Sequence, residues 1–219
     1  MPNHVYNYLT VTSQTPEELQ AFLDKSNQTF IGRFQDFLQE GHPIVEKEIS
    51  SPFSFRAFVP TPTGNEYDEH LDDEGKLQQP WYNWNIGNWG TKWDAYDLEI
   101  ERVSDTHANI SFTTAWNQPT PVFVAMASQH PELVLRVHYE EEQGWGGKLL
   151  KPLGHDDFFI EEEWDIPNSH ADYVKRDNVE SCPCQSEPNH KEYWYDDCPG
   201  KLPPHECNCE GHKNDNSKK

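Results

Sequence analysis

The chain has 219 residues and a mass of 25.5 kDa, room for one good-sized domain or one domain with an appendage, and not for two full cores. Hydrophobic residues make up 34% of it, and adding the 12 glycines still leaves the total below the ~45–50% usual in globular chains, so part of the sequence is not core. Thirty-eight Asp and Glu against 17 Lys and Arg give a formal charge of −21, which repels a phosphate backbone and an anionic membrane surface alike and argues against direct nucleic-acid or membrane binding. No apolar run approaches the ~18 residues of a spanning helix, and the start Met1-Pro2-Asn3-His4 has neither the basic nor the apolar region of a secretion signal. The expectation is a soluble, cytoplasmic protein.

In chain order, His4 to Thr12 sets Val5, Asn7, Leu9 and Val11 on one face and Tyr6, Tyr8, Thr10 and Thr12 on the other, the alternation of a half-buried strand. Thr15-Pro16-Glu17-Glu18 then supplies an N-cap, a first-turn proline and two acids ahead of Leu19, Phe22 and Leu23, predicting a helix to about Lys25. Phe30, Phe34, Phe37 and Leu38 recur at helical spacing before Gly41 and predict a short second helix. Ser54 to Val59 reads as a strand stopped by Pro60 and Pro62, and Gly64 to Lys76 as an acidic loop. Trp81, Trp84 and Asn88 share one helical face with Trp89 beside them, so a helix closed by Gly90 follows Pro80. Asp94 to Val103 and Asn109 to Trp116 predict a hairpin, Thr120-Pro121 a helix, Glu132 to Glu140 a strand, and Trp145 to Leu150 and Phe158 to Trp164 two more strands. Helices between hairpin-linked strands indicate an α+β fold with helices on one face of an antiparallel sheet.

The shortage of core lies after Ile166. From Pro167 to Lys219 the only Ile, Leu, Val, Met or Phe residues are Val174, Val179 and Leu202, while all five cysteines fall there. The chain therefore divides into a domain over 1–166 and a Cys/His-rich tail over 167–219 with too few apolar side chains for a core of its own. Acidity belongs to the first part, whose 28 acidic and 10 basic residues give −18.

Several of these segments resemble one known family. The opening Met1-Pro2-Asn3-His4-Val5, the passage Phe55 to Pro62, the string Asn88-Trp89-Gly90-Thr91-Lys92-Trp93 after Trp81-Tyr82-Asn83-Trp84, and Phe112-Thr113-Thr114-Ala115-Trp116 resemble the YubB ferredoxin-like domain family over roughly the first 150 residues. The resemblance implies a ferredoxin-like α+β domain of the kind carried by phages, plasmids and pathogenicity islands, with no catalytic mechanism attached. The Cys/His tail, the acidity and the loop 66–74 depart from that pattern.

Three constellations carry chemistry. Cys182-Pro-Cys184, Cys198 and His205-Glu-Cys207-Asn-Cys209 supply enough thiolates to close a tetrahedral structural zinc site, from which a tail without a core would gain its order. An uncoordinated tail and disulfides are the alternatives, the last disfavoured in a reducing compartment. In the tryptophan-rich stretch, Trp84, Asn88, Trp89, Thr91, Lys92 and Trp93, joined by Trp116, are either core or a pocket where a nucleotide-like ring stacks while amides read its edge. Finally, the carboxylates of Glu66–Glu74, Glu140-Glu141-Glu142 and Asp156–Asp165 are either solvated surface or a mimic of duplex charge that would block a host nucleic-acid-binding protein. Catalytic motifs are lacking: there is no G-x-S-x-G, no H-E-x-x-H and no phosphate-binding glycine loop, and His4, His107, His138 and His155 are scattered. The expected function is non-enzymatic capture or inhibition of a host component by charge mimicry. Sequestration of a nucleotide-like molecule is the alternative, and an undetected enzyme the third.

Overall fold

The structure, a computed structural model, describes residues 3–166. The alternating segment at the start forms β1 (His4–Thr12), with Val5, Leu9 and Val11 buried and Tyr6 and Tyr8 exposed. A helix follows, α1 (Pro16–Ser26), fixed by a complete capping box: Glu18 N–H donates to Thr15 Oγ1 (3.3 Å), and Thr15 N–H donates to Glu18 Oε2 (3.1 Å).

The chain next makes a long excursion. It runs through an antiparallel hairpin of β2 (Gln28–Gln35) and β3 (Ile44–Ser51), two 3₁₀ turns at Phe55–Ala57 and Gly64–Glu66, a two-residue pairing of β4 (His70–Leu71) with β5 (Leu77–Gln78), and α2 (Pro80–Trp89). It then returns to the main sheet as β6 (Tyr96–Ser104) and β7 (His107–Ala115), followed by α3 (Thr120–Gln129), β8 (Val134–Glu141), β9 (Gly146–Lys151) and β10 (Phe159–Trp164). The six-stranded sheet has the order β10-β9-β8-β1-β7-β6, antiparallel throughout. Without the excursion, β1-α1-β6-β7-α3-β8 with spatial order β8-β1-β7-β6 is the split βαβ, or ferredoxin-like, frame. The α+β expectation thus holds, with β9 and β10 extending one edge.

One face of this sheet is covered. Val5, Leu9, Val11, Ile110, Leu135 and Val137 point from the strands into a core closed by Leu19 and Phe22 of α1 and Val122, Phe123 and Met126 of α3. The excursion adds Phe53, Phe55 and Trp89, which meet Phe112 of β7 in a ring cluster (Phe53–Phe112 5.1 Å, Phe55–Phe112 5.8 Å, Phe55–Trp89 5.7 Å). Each such fully buried ring contributes about 1.5–3 kcal/mol.

Two expectations fail in the excursion. The segment predicted as a second helix is β2, because Phe30 and Phe34, four residues apart, share a strand face as readily as a helical one, and Gly41, expected as a helix stop, sits at φ +79 between the two strands of the hairpin. The strand expected over Ser54 to Val59 is a 3₁₀ turn, since Ser54 Oγ accepts from Arg56 N–H (3.3 Å) and Asp94 Oδ1 accepts from Phe55 N–H (2.7 Å), which curls the backbone. Strands β3, β4 and β5 had no counterpart in the sequence reading. Among the described residues, no helix is long and apolar enough to cross a membrane.

Candidate functional site

The tryptophan-rich stretch divides between core and surface. Trp89 is buried, with its Nε1–H donating to Val59 O (3.0 Å), and Trp84 packs against it and Tyr67 (both 5.5 Å between ring centroids). Thr91 is buried as a bracket to β7: its Oγ1 donates to Ala115 O (2.7 Å) and accepts from Ala115 N–H (3.1 Å). Asn88 turns back on its own helix, donating to Trp84 O (2.9 Å). The structure does bring Lys92, Trp93 and Trp116 together, with Tyr82 added: Lys92 Nζ lies 4.7 Å from the Trp93 ring, 5.2 Å from Trp116 and 5.6 Å from Tyr82. The chain's own ammonium occupies this aromatic cage by cation–π contact. The seven expected pocket residues therefore do not share one cavity.

A cleft of about 250 Å³ opens instead between the β2–β3 hairpin and α2, with Arg33 and Phe34 of β2, Arg56, Trp81 and Trp93 among its walls. Arg56 is held by stacking, its guanidinium carbon 3.9 Å from the Phe30 ring centroid and 4.8 Å from that of Tyr67, while Nη1 donates to Thr61 Oγ1. Two carboxylates also line the cleft, and each accepts three hydrogen bonds. Glu69 Oε2 accepts from Gln35 N–H (2.6 Å), and its Oε1 from Gln79 Nε2 (2.6 Å) and Trp81 Nε1 (3.0 Å). Asp94 takes Ser54 Oγ (2.5 Å) on Oδ2 and the N–H groups of Phe55 (2.7 Å) and Ala95 (2.8 Å) on Oδ1. Desolvation pushes the Asp94 pKa above its usual value, against these donors and nearby Arg56, and pushes the Tyr67 phenol up to about 12.

The second candidate is the sheet face away from the helices. Strand register sets one row across all six strands as Glu99, Ser111, Tyr8, His138, Lys148 and Glu162, and a neighbouring row as Glu101, Asn109, Thr10, Arg136, Leu150 and Phe159. Tyr8 is 52% exposed and Tyr6 beside it 44%, and ring contacts continue from Tyr8 to His138 (5.8 Å) and from His138 to Trp164 (5.7 Å). Both cations of these rows are neutralised on the β10 side, Lys148 by Glu162 (2.7 Å) and Arg136 by Glu161 (3.4 Å). Toward β6 lies a groove of about 370 Å³ walled by Tyr8, Thr10, Glu99, Glu101, Asn109 and Ser111. Among the described residues neither Glu99 nor Glu101 is in an ion pair.

The acidic runs named from the sequence are not uniform. Glu69 is buried as above, and Glu141 is buried and accepts from Asn3 Nδ2 and Gln143 N–H (both 2.6 Å). Asp72 closes the β4–β5 turn by accepting from Lys76 N–H (2.8 Å) and Glu74 N–H (3.0 Å), bonds that lower its pKa. Glu161 and Glu162 on the edge strand β10 are exposed, where charge also discourages edge-to-edge pairing. Glu99 and Glu101, which the sequence reading passed over, were legible only as the outward positions of an alternating strand.

Among the described residues, no group of three or more His, Cys, Asp or Glu is placed to hold a metal ion. The expected zinc ligands Cys182, Cys184, Cys198, Cys207, Cys209 and His205 lie outside the described residues. Two buried titratable groups sit near the end of α3. Lys151 donates to the carbonyls of His130 and Leu133 (both 2.6 Å), and His130 shares a hydrogen bond between Nδ1 and Glu132 Oε1 (2.9 Å). Desolvation lowers the pKa of both.

Residues 89–166 are similar to a family described as a ferredoxin-like domain in Api92-like protein, a match that runs from the last residue of α2 through β10. It supports the ferredoxin-like frame and carries the Api92-like description, not the YubB one. No curated protein and no solved structure matches the chain.

Proposed function

We propose that the protein is a non-enzymatic binding protein of a phage or other mobile element, which captures a basic, nucleic-acid-binding host protein on the open face of its sheet. One observation carries the reading: that face sets exposed tyrosines beside carboxylates that have no internal counter-charge. Exposed aromatics on an open four-stranded ferredoxin-like sheet are the means by which RNA-recognition domains stack bases, but those domains also carry cations for the phosphates. Here the cations of the face are Lys148 and Arg136, each already paired, and Glu99 and Glu101 face the groove. Such a surface offers a partner what a nucleic acid offers, rings and regularly placed negative charge. Capture would inhibit the partner by occupying its nucleic-acid site.

Salt and competition test this. Raising ionic strength from about 0.1 M to about 0.5 M shortens the screening length from ~10 Å to a few Å. Immobilised protein in host lysate should retain basic nucleic-acid-binding proteins at the lower salt, release them at the higher, and release them to excess duplex DNA. The double variant Glu99→Gln/Glu101→Gln should lose most of the capture. Retention that survives high salt, or that the double variant leaves unchanged, refutes the reading.

A further inference from the structure

The cleft between the β2–β3 hairpin and α2 has an imbalance of hydrogen-bonding groups that the sheet face does not share. Of the ten Lys and Arg in residues 1–166, two, Arg33 and Arg56, line this one cleft. In a domain this acidic, cations gathered against aromatic walls call for a reason. Two acidic groups beside them, Glu69 and Asp94, offset their charge without pairing with them: each accepts three neutral donors, and among the described residues neither is in an ion pair with Arg33 or Arg56.

The guanidinium groups, by contrast, keep donors in hand. Arg33 Nε and Arg56 Nε are buried with no hydrogen-bond partner, two of five such side-chain atoms among the described residues. Those Nε atoms are out of a ligand's reach, but they leave each guanidinium incompletely partnered within the protein, and its outer N–H groups are the ones a ligand in the cleft can meet. Arg33 Nε itself lies 3.4 Å from Glu46 Oε1, an ion pair, without a hydrogen bond, to a carboxylate that is 67% exposed, a weak pairing that a better acceptor can replace. Arg56 has its plane fixed by the Phe30 and Tyr67 rings, which presents its edge in a set direction.

The cleft thus joins two guanidinium groups, neither paired with the cleft's own carboxylates, to walls of flat rings, Phe34, Trp81 and Trp93 among them. We propose that it binds a planar aromatic anion of the nucleotide class, with the anionic group taken by Arg33 and Arg56 and the ring stacked on the aromatic walls. An uncharged ring would stack on these walls but leave both guanidinium groups without an anion from the ligand. This site is separate from the sheet face and stands or falls independently of partner capture.

The four common nucleoside monophosphates, the matching nucleosides and inorganic phosphate are titrated into the full chain, with tryptophan fluorescence and calorimetry as readouts. At least one monophosphate should bind saturably at or below about 1 mM, with its nucleoside weaker by about tenfold or more, as expected when charge-assisted hydrogen bonds are lost. Arg33→Gln should weaken the monophosphate by a similar factor, while Lys148→Gln on the sheet face should not change it. Arg33 is one-third exposed, so its variant is expected to fold, and circular dichroism checks this; Phe34→Leu, which keeps an apolar wall but removes a ring, gives a second reading. Four results would overturn the proposal: no saturable binding of any monophosphate, phosphate alone binding as tightly as the nucleotide, an unchanged affinity in Arg33→Gln, or an unchanged affinity in Phe34→Leu.

Discussion

Gly90 ends α2 and turns the chain so that Thr91 brackets β7 and Trp93 reaches the arginine cleft. It sits at φ +79, and a Cβ built on it would lie 2.9 Å from Pro121 Cδ at the start of α3. Gly75, in the β4–β5 turn, has nearly the same backbone at φ +77, but a Cβ there meets nothing within 4 Å. The pair separates two costs. At either site alanine is forced into the left-handed region at about 1–2 kcal/mol, partly offset by about 0.4–1 kcal/mol because the unfolded chain loses freedom. Gly75→Ala should therefore cost roughly 0–1.6 kcal/mol, the difference of those terms. Gly90→Ala adds overpacking against a rigid proline ring, about 1–3 kcal/mol more. With a urea m-value of about 2 kcal/mol/M, the Gly90→Ala midpoint should fall about 0.5–1.5 M below that of Gly75→Ala. Urea titrations followed by tryptophan fluorescence and by circular dichroism, with m held to be equal, give the comparison. Equal midpoints for the two variants would mean that the close approach of α2 to α3 at Gly90 and Pro121 is not a rigid contact, and the account of how α2 aims Trp93 would fail with it.

Two further predictions rest on chemistry elsewhere in the chain. His130 is buried against Phe22 (5.1 Å between ring centroids), its Nε2 has no partner, and Lys25 and Lys151 nearby also disfavour a second proton. Its folded pKa therefore lies below the ordinary 6.5, the unfolded state takes up more protons as pH falls below that value, and stability falls with it. The stability difference between the wild type and His130→Gln should shrink from about pH 7.5 to about pH 5.5 in urea titrations; a constant or growing difference refutes the assignment. For the cysteine-rich segment, we propose one structural zinc per chain, on the strength of the spacing of Cys182, Cys184, Cys207 and Cys209 alone. Native mass spectrometry should then show a zinc-sized increment that a chelator removes and that Cys182→Ser/Cys184→Ser lacks, and its absence from protein purified in zinc-replete medium overturns the idea.

The frame was readable because its signals are local. Val5, Leu9 and Val11 alternate with Tyr6, Tyr8 and Thr10, and the N-cap, proline and acids of Thr15-Pro16-Glu17-Glu18 mark a helix start that forms there. In the excursion α2 was readable from Pro80 and Gly90 at its two ends, but the β2–β3 hairpin was not, and the reason is degeneracy: Phe30 and Phe34 satisfy a strand and a helix equally, and only pairing with Ile49 and Val45 on β3 decides between them. The same holds for the cleft. Arg33 and Arg56 come from separate segments and meet only once the hairpin has formed, so nothing local marks them except the scarcity of cations around them. The tryptophan-rich stretch is ambiguous in the same way, since its residues suit a core and a pocket alike, and only the fold shows that Thr91 and Asn88 serve backbone groups.

The two proposed surfaces draw on different parts of the chain. The matched stretch, 89–166, supplies β6 to β10 and α3, yet β1 lies between β7 and β8, so the matched strands make one sheet only when the first dozen residues are inserted among them. Those residues bring Tyr6 and Tyr8 to the centre of the open face, which makes that face a property of the whole ferredoxin-like frame. The cleft is assembled from β2, the Phe55–Ala57 turn and α2, with only Trp93 and Asp94 beyond Trp89. Its chemistry therefore belongs to the excursion between α1 and β6. The excursion also supplies Phe53, Phe55, Phe58 and Trp89 to the frame's core, so the cleft can vary at its other lining residues while those four are kept. Substitutions in the hairpin such as Arg33→Gln should accordingly alter small-molecule binding without moving partner capture, and Glu99→Gln/Glu101→Gln should do the reverse. A single variant that abolished both while leaving the fold intact would show that the two surfaces are one site.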